Sequence, residues 1–341
     1  MLAALYAGNE TFRLERRQPR PPGPGEVRLD VAYVGICGTD LHIKHGAMDG
    51  RVAIPAVIGH EMSGTVAAVG KGVHDWSPGD RVTVMPLEWC GQCPACVAGH
   101  RHVCHNLVFI GIDSAGAMQQ SWTVPERVLV GLPPDLRLDA GALAEPLAVA
   151  VHDVRRGAVA SGERVLVVGG GPIGLLIACV AVAAGGDVVV CEPNPYRRSI
   201  ANRLGLRAVD PLDGEATATL DTWTGGAGVD AAFEVSGSVA GLDTATGALR
   251  VRGRLIVVAI HSQPVPVDLF RVFWRELVLV GARVYERPDF EQAVKLLGEG
   301  RIPVAELISA VEPLDRVPAA FEALESGTGV MKVLIDCQAG Q

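Results

Sequence analysis

Apolar residues follow two different patterns along this chain, and the change falls near Gly141. Before it, they come in short β-branched runs broken by Gly and Pro. Glu26 to Val34, Gly64 to Val69 and Asp80 to Met85 therefore read as strands bounded by turn residues. No stretch of a dozen residues there carries a helical apolar stripe. From about Val151 strands and helices alternate. The pattern predicts strands at Arg164 to Val168, Asp187 to Cys191, Gly228 to Val235, Arg254 to Ile260 and Glu276 to Val284. Between them it predicts helices at Ile173 to Ala184, Pro195 to Leu204 and Val239 to Leu249. Strands apolar on both faces, alternating with helices, predict an α/β fold with a doubly wound parallel sheet. The tail returns to mixed elements, with helices at Asp289 to Leu297 and Val317 to Leu324 and a strand at Val330 to Ile335. A chain of 341 residues exceeds the usual size of one domain. We expect one domain from residues 1–150 and 286–341 and a second from residues 151–285.

Charge narrows the function classes. Lys and Arg total 30 against 38 Asp and Glu, a formal charge of -8, which offers no basic footprint for nucleic acid or an anionic membrane. The apolar run Val180 to Val190 is interrupted by Gly185, Gly186 and Asp187, so no bilayer span is expected. Met1 to Glu10 has no export-signal pattern, and the default expectation is a cytoplasmic protein.

Gly169-Gly170-Gly171-Pro172-Ile173-Gly174 follows the first strand of the alternating region and opens its helix. In that context each glycine has a task. Gly169 permits the tight turn, Gly171 lets the backbone approach a pyrophosphate, and Gly174 allows close helix-to-strand packing. Pro172 sits in the first helical turn, where its missing N–H costs little, and the free N–H groups of that turn face the anion. Glu192, at the end of the next strand, has the spacing of an acidic residue that accepts from the adenosine ribose hydroxyls. It favours NAD over NADP, while Arg197 and Arg198 close behind temper the preference. The bland reading of Glu192 is a solvated charge at a strand end.

Four of the eight cysteines crowd together as Cys90-x2-Cys93-x2-Cys96-x7-Cys104. Four thiolates at short loop spacing match a closed tetrahedral zinc site. His100, His102 and His105 lie nearby and are read as surface residues. Cys179 and Cys191 sit in apolar runs and read as small buried hydrophobes, whereas Cys337 suggests no role. A dispersed set, Cys37, His60 and Glu145, combines a thiolate, an imidazole and a carboxylate. That combination leaves room for an oxygen ligand and is typical of a catalytic zinc. Each residue also has a bland reading, and spacing alone cannot assemble them.

The strings Cys37-Gly38-Thr39-Asp40, Gly59-His60-Glu61, the four-cysteine segment and Gly169 to Gly174 together carry a resemblance. Over nearly its full length the chain resembles the zinc-containing medium-chain dehydrogenase/reductase family, the alcohol dehydrogenase superfamily. Glu145-Pro146-Leu147-Ala148-Val149 is similar to the sorbitol and butanediol dehydrogenase branch, as is the run Phe270 to Tyr285 to butanediol dehydrogenases. Cys37 to His42 is equally close to threonine dehydrogenases. The resemblance implies a Rossmann domain, a mostly β GroES-like catalytic domain with a structural zinc lobe, two zinc ions per chain, and NAD. It implies that Cys37 and His60 are ligands of the catalytic zinc and that Glu61 and Glu145 bind it directly or through water. Asp40 would orient the ligand imidazole, and Thr39 and His42 would form the proton relay. Val258, Ala259, Ile260, Arg283 and Val284 match backbone neighbours of the nicotinamide, Arg197 lies by the adenosine, and Tyr285 falls beside a substrate-contacting tyrosine. The expected reaction passes hydride between a secondary alcohol, such as a vicinal diol, a polyol or a related hydroxy compound, and NAD. A homodimer or homotetramer is expected, because the apolar strand Glu276 to Val284 ends the sheet and leaves an edge. Competing readings are a threonine 3-dehydrogenase, a non-catalytic nucleotide- and zinc-binding relative, and a zinc-free quinone or enoyl reductase. The intact cysteine segment opposes the last.

Overall fold

The computed structural model describes residues 1–261, 263–327 and 329–339. It divides into two compact units, one of residues 1–145, 286–300 and 308 onward, the other of residues 146–285 and 301–307.

The first unit is built on strands β1 (Glu26–Gly35), β2 (Glu61–Val69), β3 (Arg81–Val84), β4 (Ser121–Pro125) and β5 (Leu129–Gly131). The short helix α1 (Gly38–Lys44) follows β1, and Glu145 opens helix α2 (Ala144–Arg156). Val27, Leu29, Val31 and Val34 of β1 are buried while Asp30 is exposed, the period-two pattern of a strand with one packed face.

The second unit alternates strictly. Strand β6 (Arg164–Val168) leads to helix α3 (Pro172–Ala183), β7 (Asp187–Cys191) to α4 (Pro195–Arg203), and β8 (Arg207–Val209) to α5 (Ala216–Thr224). Strand β9 (Val229–Glu234) leads to α6 (Val239–Ala248), β10 (Leu249–Val257) to α7 (Leu269–Trp274), and β11 (Val278–Gly281) closes the set. The sheet order is β8-β7-β6-β9-β10-β11 with every pairing parallel. The order reverses between β6 and β9, so a dinucleotide crevice is expected above their C-terminal ends. Val165 to Val168 and Val188 to Cys191 are buried on both faces, as a doubly covered parallel sheet requires.

The tail adds helix α8 (Arg287–Gly298), strand β12 (Ile308–Pro313), helix α9 (Val317–Ser326) and strand β13 (Lys332–Asp336). It completes the sheet of the first unit, whose order is β12-β13-β1-β2-β3-β5 with β4 also on β1.

Three expected boundaries shift for physical reasons. Strand β10 begins at Leu249 rather than Arg254, because Val229 pairs with Leu249 before a bulge restores the register at Ala231 and Arg254. It ends at Val257 rather than Ile260, since the N–H groups of Val258 and Ala259 both turn to the Glu234 carbonyl. Strand β11 is only Val278–Gly281, and the residues on to Val284 form a loop. Val258 to Ile260 and Arg283 to Val284 are thus loop residues beyond strand C-termini, the side of such a sheet where ligands bind. Among the described residues no helix is long and apolar enough to cross a membrane.

Candidate active site

The four-cysteine segment folds as a small lobe with a helix at Pro94–Val97 and a single turn at Arg101–Val103. Its core is made of the cysteines themselves, with Trp89, Ala95 and Leu107 packed on them. The sulfur of Cys104 lies 3.5 Å from that of Cys90 and 3.8 Å from that of Cys93. A tetrahedron of bonds of about 2.3 Å spaces its sulfurs about 3.8 Å apart, so the set fits zinc. Backbone N–H groups also point at the sulfurs, from Asn106 and Cys90 to Cys104 and from His105 to Cys93. The N–H groups of Gln92 and Cys93 pull the Cys90 thiol down to about 6, whereas burial pushes Cys96 up to about 12. None of the eight cysteines is joined in a disulfide. Of the neighbouring histidines, His100 and His105 are exposed, but His102 is largely buried with Nδ1 3.8 Å from Glu286. His102 is therefore not the surface residue expected of it.

The dispersed set also comes together. Ligand atoms of Cys37, His60 and Glu61 all lie within 4.8 Å of one another. Cys37 precedes α1, and its N–H donates to Asp40 Oδ2 at 2.8 Å, which tightens the first turn. On that helix Thr39 and His42 stand three residues apart on one face, Thr39 half-buried and His42 exposed. Asp40 points the other way and is fully buried. Its Oδ1 lies 3.7 Å from His60 Nδ1, in range for charge but too long for a hydrogen bond. Gly59 precedes His60 with a φ of +98°, and a Cβ there would lie 2.9 Å from Met118 and from Val34. The His60 ring meets Phe109 edge-on, with centroids 5.2 Å apart. Glu145 is buried and adds its charge to the field at His60, but the set that closes within 4.8 Å contains Glu61.

Electrostatics supply the test of fit for a metal. Burial alone would push the His60 imidazole down. Asp40, Cys37 and Glu145 outweigh it and lift it to about 10. A pocket that holds a proton on a buried imidazole is one that suits a bound dication. Thiolate, imidazole and carboxylate are moreover the donors that zinc takes at catalytic sites.

Sequence reasoning missed Lys332. It is 3% exposed and ion-pairs with Glu61, and its Nζ donates to the Ile36 carbonyl at 2.9 Å. The available signal was one lysine in the otherwise apolar run Val330 to Ile335.

In the second unit Gly169 has a φ of +109°, and a Cβ at Gly174 would lie 1.8 Å from the Gly169 carbonyl oxygen. The helix therefore packs on the turn through bare backbone. Gly171 precedes α3 and Pro172 begins it. Glu192 is buried, not a solvated strand end: Oε2 accepts from Gly170 N–H at 2.6 Å and Oε1 from Asn194 N–H at 2.8 Å. Arg197 reaches within 3.9 Å of Glu192, while Arg198 is committed to the carbonyls of Glu192 and Pro193 and to Asp210. Across the switch point stands a couple that the sequence reading did not single out. Fully buried Glu234 accepts from Ser236 and Gly237 through Oε1 and faces His261 Nε2 at 3.1 Å through Oε2. Ile260 and Arg283 are exposed. Val284 holds a φ of 49°, a strain of about 1–3 kcal/mol for a β-branched residue and of the kind that clusters at ligand sites. Tyr285 is fully buried and offers no surface to a substrate.

Comparison with known proteins adds the family. Residues 23–134 match the alcohol dehydrogenase GroES-like domain and residues 172–299 the zinc-binding dehydrogenase domain. The chain is 50% identical, over all of both chains, to 2-dehydro-3-deoxy-L-galactonate 5-dehydrogenase of Pseudoalteromonas atlantica. It belongs to the zinc-containing medium-chain alcohol dehydrogenase family. This dehydrogenase is also 33% identical, over 90% of each chain, to L-galactonate-5-dehydrogenase of Escherichia coli. Among solved structures it resembles a zinc-binding dehydrogenase of Sinorhizobium meliloti bound to NADP, with a TM-score of 0.92, 29% identity and 98% of each chain covered. Sorbitol, butanediol and threonine dehydrogenases are relatives as well. The chain is accordingly a zinc-dependent dehydrogenase acting on a CH–OH group.

The two clusters are separable by substitution. Metal analysis of the unmodified protein is expected to give two zinc ions per chain. Cys93→Ser should lose one and lower the melting temperature by on the order of 10 °C, because a structural zinc contributes folding free energy. Cys37→Ser should lose the other, abolish turnover and melt close to the parent. Reversed phenotypes would show that the two assignments are exchanged.

Proposed function

We propose that this dehydrogenase oxidises a secondary hydroxyl of a sugar acid, at carbon 5, with NAD as hydride acceptor. The observation that carries the chemistry is the closure of Cys37, His60 and Glu61 into one donor set beside a helix bearing Thr39 and His42. The substrate class is supported by the two relatives named for C5 oxidation of galactonate-type acids. On this reading the first unit carries the chemistry and the second carries the cofactor.

Cys37, His60 and Glu61 would hold the zinc, with Glu145 adding a further carboxylate charge at His60. Zinc held there supplies Lewis acidity toward a hydroxyl or carbonyl oxygen. Asp40 keeps negative charge against the far side of the His60 ring, which favours a metal-bound imidazole. Thr39 would accept the hydroxyl proton while handing its own on toward exposed His42, one turn along α1, from which a proton would leave to solvent. Gly169 to Gly174 would hold the pyrophosphate at the start of α3, with Glu192 and Arg197 available to the adenosine. The loops Val258 to Ile260 and Arg283 to Val284 would hold the nicotinamide, which when bound supplies the hydride acceptor.

The proposed substrate is tested by kcat/KM on 2-dehydro-3-deoxy-L-galactonate, L-galactonate, sorbitol, 2,3-butanediol and threonine. One of the two acids should exceed every neutral polyol by about 100-fold or more, as a site built for a polar group rejects analogues that lack it. A preference for butanediol or threonine would overturn the substrate while leaving the reaction class intact.

Cofactor choice turns on Glu192. Its carboxylate retains lone pairs for the ribose diol and meets like charge in a 2′-phosphate. The ratio of kcat/KM for NAD over NADP should exceed one, and Glu192→Ala should reduce it by about 10-fold or more, since a like-charge contact costs several kcal/mol. Affinity for both cofactors should fall in the variant, because Glu192 also secures the Gly170 turn. An unchanged ratio would leave Glu192 with the turn alone.

Self-association is proposed as well. Leu269, Phe270, Phe273 and Trp274 of α7 are about 70% exposed, and Val278 and Leu279 of the edge strand β11 are exposed beside them in sequence. An apolar edge of that kind is normally covered. Light scattering should find a dimer or tetramer, and Phe273→Glu should shift it toward the monomer. A monomeric unmodified enzyme would remove the proposal.

A further inference from the structure

Strand β13 places a lysine where its neighbours are Val, Leu and Ile, all buried. Burying an ammonium costs several kcal/mol unless it is paired. Lys332 is paired in a specific way. Strands β13 and β2 are not paired with each other; β1 lies between them. Lys332 on β13 and Glu61 on β2 nonetheless form an ion pair. They meet over Gly35, the β1 residue that pairs with Glu61 on one side and with Leu334 on the other. A Cβ at position 35 would lie 2.2 Å from Glu61 Oε2 and 3.0 Å from Lys332 Cε, so only glycine leaves the passage open. The third anchor is the Ile36 carbonyl, which accepts from Lys332 Nζ at 2.9 Å and fixes the ammonium between β1 and the start of α1. The Cys37 and Asp40 side chains add their negative charge at Lys332.

We propose that Lys332 is a positioning residue for the metal centre, holding one oxygen of Glu61 across Gly35 so that the other serves the Cys37–His60 set. The proposal rests on the reading of Cys37, His60 and Glu61 as a zinc site. Lys332 touches neither substrate nor cofactor in this role. It acts through Glu61, as the outer partners of metal-bound carboxylates do, and it offsets one of the negative charges gathered there.

The test uses chelator competition on the zinc-loaded protein, with the four-cysteine zinc as internal reference, and the visible spectrum after cobalt replacement at the Cys37–His60 site. Lys332→Met should weaken metal binding at that site by about 10–100-fold, the usual loss for an outer partner, and should alter the cobalt spectrum. The four-cysteine zinc should be retained. In a Glu61→Gln background the same Lys332→Met change should add nothing further, because its effect passes through Glu61. Gly35→Ala, which parts the pair and keeps both charges, should weaken the same site and serves if Lys332→Met folds poorly. Unchanged or tighter metal binding in Lys332→Met, or equal losses with and without Glu61, would overturn the role of Lys332. A single zinc in the unmodified protein would instead overturn the site reading on which it depends.

Discussion

Buried charge at the junction of β1, α1 and β2 is the constraint around which the first unit is arranged. Cys37, Asp40, His60, Glu61, Glu145 and Lys332 all lie inside or at the edge of the protein, and the carboxylates among them are nearly inaccessible. Such a group survives burial only if its charges are matched. Lys332 matches one, and the donor set of Cys37, His60 and Glu61 has the composition that zinc requires. The surrounding backbone is shaped to that end. Gly35 clears the path between Glu61 and Lys332, Gly59 brings the chain into His60 with a left-handed turn, and α1 begins with the Cys37 N–H tied to Asp40.

The second unit solves a different problem, how to pack a turn and a helix together through bare backbone. Gly169 and Gly174 let helix and turn approach to a distance that no side chain permits. The Glu192 carboxylate then holds the turn from the neighbouring strand. Glu234 does the corresponding work on the other side of the switch point, where its carboxylate gathers Ser236, Gly237 and His261 and its carbonyl gathers Val258 and Ala259. Two buried glutamates therefore shape the two halves of the C-terminal edge, each by accepting from the backbone of a turn. Charge-assisted bonds of this type are stronger than neutral ones and suit loops that must stay put when a ligand arrives.

Family and substrate rest on different kinds of observation. The reaction class follows from groups that any member of the family needs, and these are present together with the fold. The substrate depends on which side chains line the site, and loops set those. Relatives at 50% and 33% identity share a C5 oxidation of a sugar acid in their names, while others act on polyols or threonine. One scaffold thus accommodates several hydroxy compounds, as expected when function resides in loops grafted on a common frame.

Local signals determined a good deal by themselves. The strands at Arg164–Val168 and Asp187–Cys191 were legible because burial on both faces leaves a continuous apolar run. The four-cysteine lobe was legible because its ligands lie within one short loop, and the glycine turn because each glycine meets a local steric need. Strands β4, β5, β8 and β12 were not singled out, being short or lacking a clean period. Tertiary structure alone decided what depends on distant segments. It placed Glu61 rather than Glu145 in the closed set with Cys37 and His60, tied Glu192 to Gly170, and buried Tyr285. It also brought Lys332 to Glu61 from 271 positions away, across a strand that belongs to neither. A pairing of that kind leaves no spacing to read, because it is set by sheet order and by the one residue between them that has no side chain.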